Sequence, residues 1–281
     1  MITAKKSLGQ NFLADRHVAR RIVASVAPLP QDLIIEIGPG TGALTRLLVD
    51  ASGYVVAIEL DRRLIEELRR EFASARVRII EADALAVNWD ALLDSAMESW
   101  RAATQADDEP RVRIVANLPY YISTAIIERL MSLGTRLSDM TLMLQREVVE
   151  RISSPPSSRE YGYLSVLVQY HCAAVKLFDV PPAAFRPPPK VQSAILRLTV
   201  RERPAVEVTD EARFFALVRA AFAQRRKTIA NNLKAARRAL GITAEINAAL
   251  ERAGIEPQRR AETLSLDEFA ALFHTLFNLP D

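Results

Sequence analysis

The chain has one cysteine in 281 residues, Cys172, so an internal disulfide framework is excluded and a reducing compartment fits. It has three histidines, His17, His171 and His274, which match no metal-ligand spacing, and no metal site is expected. Nine glycines and 15 prolines exclude collagen-like and low-complexity classes. Long apolar runs are missing as well. The longest stretch without a charged residue, Tyr161–Val175, is 15 residues and contains Gln169 and His171, short of the roughly 18 that a membrane span needs. The start, Met1 to Asn11, is polar and basic with no apolar stretch behind it, which predicts neither a signal peptide nor an anchor. The expectation is a cytoplasmic chain without a membrane partner.

Enough is present to fold. Hydrophobic residues make up 49% and charged residues 25%, so a core can form and wholesale disorder is excluded. The length suits one large domain, or one plus a smaller second. The net charge of +3 conceals its own distribution. Residues 219–238 hold Arg219, Arg225, Arg226, Lys227, Lys234, Arg237 and Arg238 with no acid. Residues 1–21 hold Lys5, Lys6, Arg16, Arg20 and Arg21 against Asp15 alone. The stretch 261–281 reverses this, with Glu262, Asp267, Glu268 and Asp281 and no Lys or Arg. A single basic run is usually a solvated helix face. Two such runs point toward a polyanionic partner.

Over the first two thirds, short β-branched runs alternate with helical patterns. Leu33–Ile37, Tyr54–Ile58, Val77–Ile80, Val112–Ala116 and Thr141–Leu144 read as buried parallel strands. Thr41–Ala51 and Arg62–Ala73 read as helices, the second N-capped by Asp61 with Leu64, Leu68 and Phe72 on one face. This alternation predicts a doubly wound sheet with ligands at the carboxyl ends of its strands. Ser95–Pro110 interrupts it as a helix and an exposed loop. Val175–Val180 and Val191–Val200 read as an antiparallel pair at one edge, separated by the proline-rich stretch 181–189. Trp89 and Trp100 read as packing residues, and Cys172 as core within an apolar helix near Leu164, Val168 and Val175. From about residue 201 the pattern is helical. Phe214, Leu217, Val218, Ala221 and Phe222 share a face, and Ser265–Glu268 is a capping box opening a last helix with Leu266, Phe269, Phe273 and Leu276 inside. The expected division is 1–200 and 201–281.

The chemistry lies at strand ends. Glu36-Ile37-Gly38-Pro39-Gly40-Thr41-Gly42 follows the first strand, and its glycines allow a sharp turn and close backbone approach to a ligand. Glu59 ends the second strand, where a carboxylate can accept from ribose hydroxyls. Gly38-x-Gly40-x-x-Ala43 also passes as a dinucleotide fingerprint, so the loop alone does not name its ligand. Asp83, after the third strand, could accept from an adenine amino group or equally cap the next helix.

Asn117-Leu118-Pro119-Tyr120 follows the fourth strand and suits methyl transfer to adenine N6, a poor nucleophile with a delocalised lone pair. The Asn117 carboxamide oxygen and the Leu118 carbonyl could both accept from the amino group while the nitrogen turns tetrahedral. Pro119 holds Leu118 extended, which fixes its carbonyl. Tyr120 offers a face for a flipped base.

At these residues the chain resembles the ribosomal RNA adenine N6-dimethyltransferases, specifically the bacterial small-subunit (16S) type, over nearly its whole length. Lys5-Lys6-Ser7-Leu8-Gly9-Gln10-Asn11-Phe12-Leu13, Glu36–Gly42, Ile58-Glu59-Leu60-Asp61, Asp83-Ala84-Leu85 and Asn117–Tyr120 match the family's motifs in order. Further matches are Leu144–Val148, Tyr161–Ser165, Phe185–Val191 and Ala221–Thr228. The resemblance implies an α/β fold: a Rossmann-like class I S-adenosylmethionine-dependent methyltransferase sheet, with a small all-helical C-terminal RNA-recognition domain. It implies S-adenosylmethionine as cofactor and ribosomal RNA of the small subunit as partner, with dimethylation of two adjacent adenosines in the 3′-terminal hairpin loop, by a monomer. By the same resemblance Asn11 and Leu13 cover the cofactor, Gly38 and Gly40 approach its methionine, Glu59 its ribose and Asp83 its adenine. Asn117 holds the target N6 and lies near the cofactor. Tyr120 and Phe185 sandwich the adenine. Apart from the resemblance, Arg225, Arg226 and Lys227 in the basic run are the candidates for RNA phosphate contact, with a solvated helix face as the alternative. Tyr121 departs from the Asn that many members carry. The competing readings are a macrolide-resistance type 23S RNA methyltransferase, a DNA adenine methyltransferase, a non-catalytic assembly factor and a dinucleotide oxidoreductase.

Overall fold

The strands form where the apolar runs fall. The computed structural model describes residues 4–5, 8–73 and 76–277; Met1, Lys6, Ser7 and Asp281 lie outside them. The elements begin with β1 (Phe12–Leu13), α1 (Arg16–Val26), β2 (Leu33–Ile37), α2 (Thr45–Ala51), β3 (Tyr54–Glu59), α3 (Arg62–Glu71) and β4 (Val77–Glu81). Then come α4 (Trp89–Thr104), β5 (Val112–Asn117), α5 (Ser123–Met131), β6 (Asp139–Gln145), α6 (Arg146–Ser153) and α7 (Tyr163–His171). β7 (Cys172–Val180), β8 (Phe185–Arg186), β9 (Ser193–Val200), α8 (Glu211–Ala221), α9 (Ile229–Ala236), α10 (Ile246–Arg252) and α11 (Leu266–Phe277) follow.

A seven-stranded sheet has the order β4-β3-β2-β5-β6-β9-β7. β2 is parallel to both β3 and β5, and β3/β4 and β5/β6 are also parallel. β9 runs antiparallel to β6, and β9 and β7 are neighbours at one edge. Every residue of β2 and β3 is buried, as strands covered on both faces must be. The chain leaves β2 for β3 and β4 on one side and resumes with β5 on the other. The carboxyl ends of β2 and β5 therefore flank the switch point where such sheets bind ligands. β1 and β8 form a separate antiparallel pair, Leu13 opposite Phe185.

Three details differ from the sequence reading. α2 starts at Thr45 rather than Thr41, because Gly42 has φ 77° and closes a turn by donating to the Pro39 carbonyl at 2.9 Å. Cys172 is buried but opens β7; the helix before it ends at His171. Val175, an expected neighbour, is 53% exposed on that edge strand. Trp89 and Trp100 are buried on α4, and Asp61 caps α3 as expected.

The chain divides into two units. One comprises 1–149 and 173–200, the other 150–172 and 201–281. A break at 200/201 is common to this division and the sequence reading, but 150–172 joins the helical unit. Tyr161, Val166 and Tyr170 from that segment share a buried cluster with Phe214, Leu217, Phe269 and Phe273. In α8 the buried residues are Phe214, Leu217, Val218 and Ala221, and the Ser265–Glu268 box closes through bonds of 2.8 and 3.2 Å. Among the described residues, no helix is long and apolar enough to cross a membrane.

Candidate active site

A pocket of about 1070 Å³, counting its solvent-open mouth, lies at the carboxyl ends of β2 to β5. The segment 8–13, the loop 36–41, residues 58–60 and 82–84, and the turn 117–122 line it. Every residue assigned to the cofactor from the sequence lines this pocket: Asn11, Leu13, Gly38, Gly40, Glu59, Asp83 and Asn117. So do Leu118, Pro119 and Tyr120.

The glycine loop is tight for a reason. Gly40 has φ 59°, and a Cβ there would sit 3.0 Å from the Phe12 ring. Its N–H donates to Glu59 Oε2 at 3.2 Å. Glu59 Oε1 accepts from the N–H groups of Leu60 and Asp61, both at 2.9 Å. One buried carboxylate thus ties the loop after β2 to the turn after β3. Burial pushes its carboxyl above the usual value, and the three backbone donors oppose that shift. Asp83 does two things. Its Oδ1 accepts from the Leu85 N–H at 2.8 Å, closing a turn, while the residue still lines the pocket.

Asn117 ends β5. Its Nδ2 donates to the Asn11 carbonyl at 3.2 Å, which pins the carboxamide and leaves Oδ1 as the free acceptor among the described residues. The Leu118 N–H donates to the Met143 carbonyl at 3.3 Å, holding the turn to β6. Tyr120 is half-buried, with its hydroxyl 2.7 Å from Ser193 Oγ on β9. Burial raises its phenol pKa above the ordinary value, against the Ser193 bond. Tyr121 is 64% exposed, and its ring lies against Gly9, where a Cβ would approach within 3.1 Å. It therefore packs on the N-terminal segment.

Phe185 stands apart from the expectation. It is 1% exposed, packs in a core cluster with Leu13, Ile195 and Met143, and does not line the pocket. Arg225, Arg226 and Lys227 lie on the loop between α8 and α9 in the helical unit, all exposed. Arg225 donates to the Arg159 carbonyl and pairs with Glu262 at 3.4 Å.

The sequence reading gave no role to Glu36. Its side chain is buried near the end of β2 and lines the pocket, and among the described residues Oε2 has no hydrogen-bond partner. Thr45 Oγ1 is near without making a hydrogen bond of good geometry. Burial pushes the Glu36 carboxyl up to about 7, with Glu59 adding to the shift and Thr45 and Arg46 opposing it. A signal was available, since an acid inside the apolar run Leu33–Ile37 has no structural reason to be there.

Among the described residues, the lining holds Glu36, Glu59 and Asp83 but no Lys or Arg. Such a pocket suits a cofactor bearing a sulfonium and an ammonium, and opposes the pyrophosphate of a dinucleotide. Among the described residues no cluster of His, Cys, Asp or Glu could hold a metal ion.

Fold and pocket together define a Rossmann-like, class I S-adenosylmethionine-dependent methyltransferase. A family model described as ribosomal RNA adenine dimethylase matches residues 1–277, and the chain belongs to that family. A relative from Moorella thermoacetica called ribosomal RNA small subunit methyltransferase A is 43% identical over 277 residues, covering 98% of this chain and 93% of the relative. One of the same name from Acinetobacter baylyi is 44% identical over 270 residues, covering 96% and 91%. A dimethyladenosine transferase structure from Plasmodium falciparum superposes with a TM-score of 0.74 at 23% identity, covering 93% of this chain and 95% of that one. A 23S rRNA methyltransferase structure gives 0.66 at 27% identity, covering 95% and 99%.

Proposed function

We propose that this enzyme transfers methyl groups from S-adenosylmethionine to N6 of two adjacent adenosines in the 3′-terminal hairpin loop of 16S rRNA. It acts as a cytoplasmic monomer on the small ribosomal subunit or its precursor, and contributes to subunit maturation. The observation that carries this reading is Asn117. Its amide nitrogen is occupied by Asn11, so its oxygen is the end offered to an amino group. When bound, the cofactor supplies an electrophilic methyl on sulfur. Glu59 and Asp83 would accept from its ribose and adenine, and Glu36 would face its positive charge. Asn117 Oδ1 and the Leu118 carbonyl hold the target amino group. Held there, the N6 lone pair would be turned toward the methyl that the bound cofactor supplies. The N6 proton leaves readily once nitrogen is alkylated, so no strong base is needed. Catalysis is mostly positioning. Tyr120 stacks on the base.

The test is methylation of purified small- and large-subunit particles with labelled cofactor, the products located by mass spectrometry. Two dimethylated adenosines in 16S rRNA are expected. Label in the large subunit instead would support the 23S reading, which the 27%-identical structural relative favours. Asn117→Ala should lower turnover on the order of 10²-fold or more while cofactor binding survives. Unchanged turnover would remove Asn117 from the mechanism. Arg226→Ala with Lys227→Ala should flatten the salt dependence of RNA binding if the helical unit touches phosphates.

A further inference from the structure

Asp61 is an N-cap with more partners than a cap requires. Its side chain is fully buried. Oδ1 accepts from the Arg63 N–H at 3.2 Å, which is the capping bond, and Oδ2 accepts from the Arg63 guanidinium at 2.7 Å. Two further donors come from the far end of the sequence: Lys5 Nζ at 3.1 Å and Gln10 Nε2 at 3.2 Å. Gln10 Oε1 accepts from the Lys5 N–H at 2.8 Å, so these two donors are also fixed to each other.

Gln10 itself lies in the pocket wall, which runs from Leu8 to Leu13. The Asn11 carbonyl holds Asn117, the Phe12 ring lies against Gly40, and Leu13 pairs with Phe185 on β8. The segment 8–13 is therefore pinned at its near end by Asp61 and at its far end by β8. Asp61 reaches the cofactor side as well, because its own N–H donates to Glu59.

We propose that Asp61 is a positioning residue: the latch that holds the segment 8–13 closed along the cofactor pocket, setting cofactor residence and the orientation of Asn117. The proposal rests on this pocket being the cofactor site. The segment forms one wall of the pocket, so its release widens the way out. Release must break the bonds to Asp61, Asn117 or β8. Among the described residues, only those to Asp61 are made to a charged group, and such bonds are roughly twice as strong as neutral ones. The Arg63 guanidinium beside Asp61 holds its carboxyl well below the usual carboxylate range, so the latch stays ionised at any working pH.

Two variants separate latch from cap. Asp61→Ser keeps a good helix cap but is too short to reach Lys5 and Gln10. The pair Lys5→Ala and Gln10→Ala keeps the cap itself and removes the distant donors. S-adenosylhomocysteine dissociation from the full chain is followed by stopped flow, and melting of the free protein by calorimetry. Wild-type binding of S-adenosylhomocysteine separately tests the pocket reading. The expected result is dissociation faster by about tenfold or more in either variant, the size of a lost bond to a charged group. Melting of the free protein should change little. Combining all three substitutions should add nothing further, since they break one contact. Wild-type dissociation in the Lys5/Gln10 variant, which stands whether or not Asp61→Ser folds, would overturn the latch. So would effects that simply add.

Discussion

Asp32 and Glu36 flank the same strand, and both are buried. At the amino end, Asp32 takes two bonds from Arg111, at 2.9 and 3.0 Å, one from Arg113 at 3.0 Å and one from the Leu29 N–H at 2.8 Å. Arg113 is buried too, and it also donates to Asp139 at 2.8 and 3.0 Å and to the Val26 and Ala27 carbonyls. Every charge there meets its opposite inside the chain. At the carboxyl end, Glu36 faces another carboxylate, Glu59, and among the described residues one of its oxygens has no hydrogen-bond partner. A buried charge fully paired within the chain belongs to the scaffold. A buried carboxylate whose oxygen no cation of the chain contacts is poised for one brought by a ligand. The difference explains why one end of the sheet holds the fold while the other holds the pocket.

Breaking the amino-end network should have the largest effect. Arg113→Ala leaves Asp32 and Asp139 without their shared buried cation, and removing one partner of a buried pair typically costs about 3–5 kcal/mol. Denaturant unfolding measures this, and titration of the folded protein should show cofactor affinity unchanged. A loss below about 1 kcal/mol would return the network to the ordinary worth of surface pairs. Glu36→Gln should act with the opposite sign. The ordinary carboxyl value of 4.5 becomes about 7 in the fold, so the folded state holds a proton that the unfolded chain has lost. Stability from this group is complete below 4.5, declines as pH rises to about 7, and is flat above that. The integrated cost is ~3 kcal/mol. Glu36→Gln should therefore be more stable than wild type at pH 8, equal to it at low pH, and weaker in binding S-adenosylmethionine. Parallel pH–stability curves for the two proteins would sink this account of Glu36.

The strands, the glycine loop, Glu59 and the Asn117 turn were legible because each depends on neighbours in sequence: apolar periodicity, turn chemistry, a carboxylate at a strand end. What escaped depends on pairing across distance. Asp61 reads from sequence as a cap, and nothing local tells that Lys5 and Gln10 will meet it. Arg113 looks like an intrusion in an apolar strand until Asp32 and Asp139 arrive from the neighbouring strands. Within the segment 150–172, the stretch from Tyr161 on is apolar enough for either core; its assignment follows from what Tyr161 and Tyr170 pack against. Phe185 reads from its motif as a stacking partner for the base, whereas the β1–β8 pairing turns it into the core beside Leu13.

Tyr120 offers the smallest and finest test of the contrast between scaffold and pocket. It is half-buried at the pocket wall, and its hydroxyl reaches Ser193 on β9. It thus has one end in each role. Tyr120→Ala removes both and should weaken RNA binding by about 1–3 kcal/mol, the worth of one base–aromatic stack. Tyr120→Phe keeps the ring and removes only the hydroxyl bond, so RNA binding should stay near wild type while stability falls by about 0.5–1.5 kcal/mol. RNA titrations alongside unfolding curves separate the two. If Phe loses as much RNA affinity as Ala, the ring does not stack on a base, and the Ser193 bond that positions it is what RNA binding depends on.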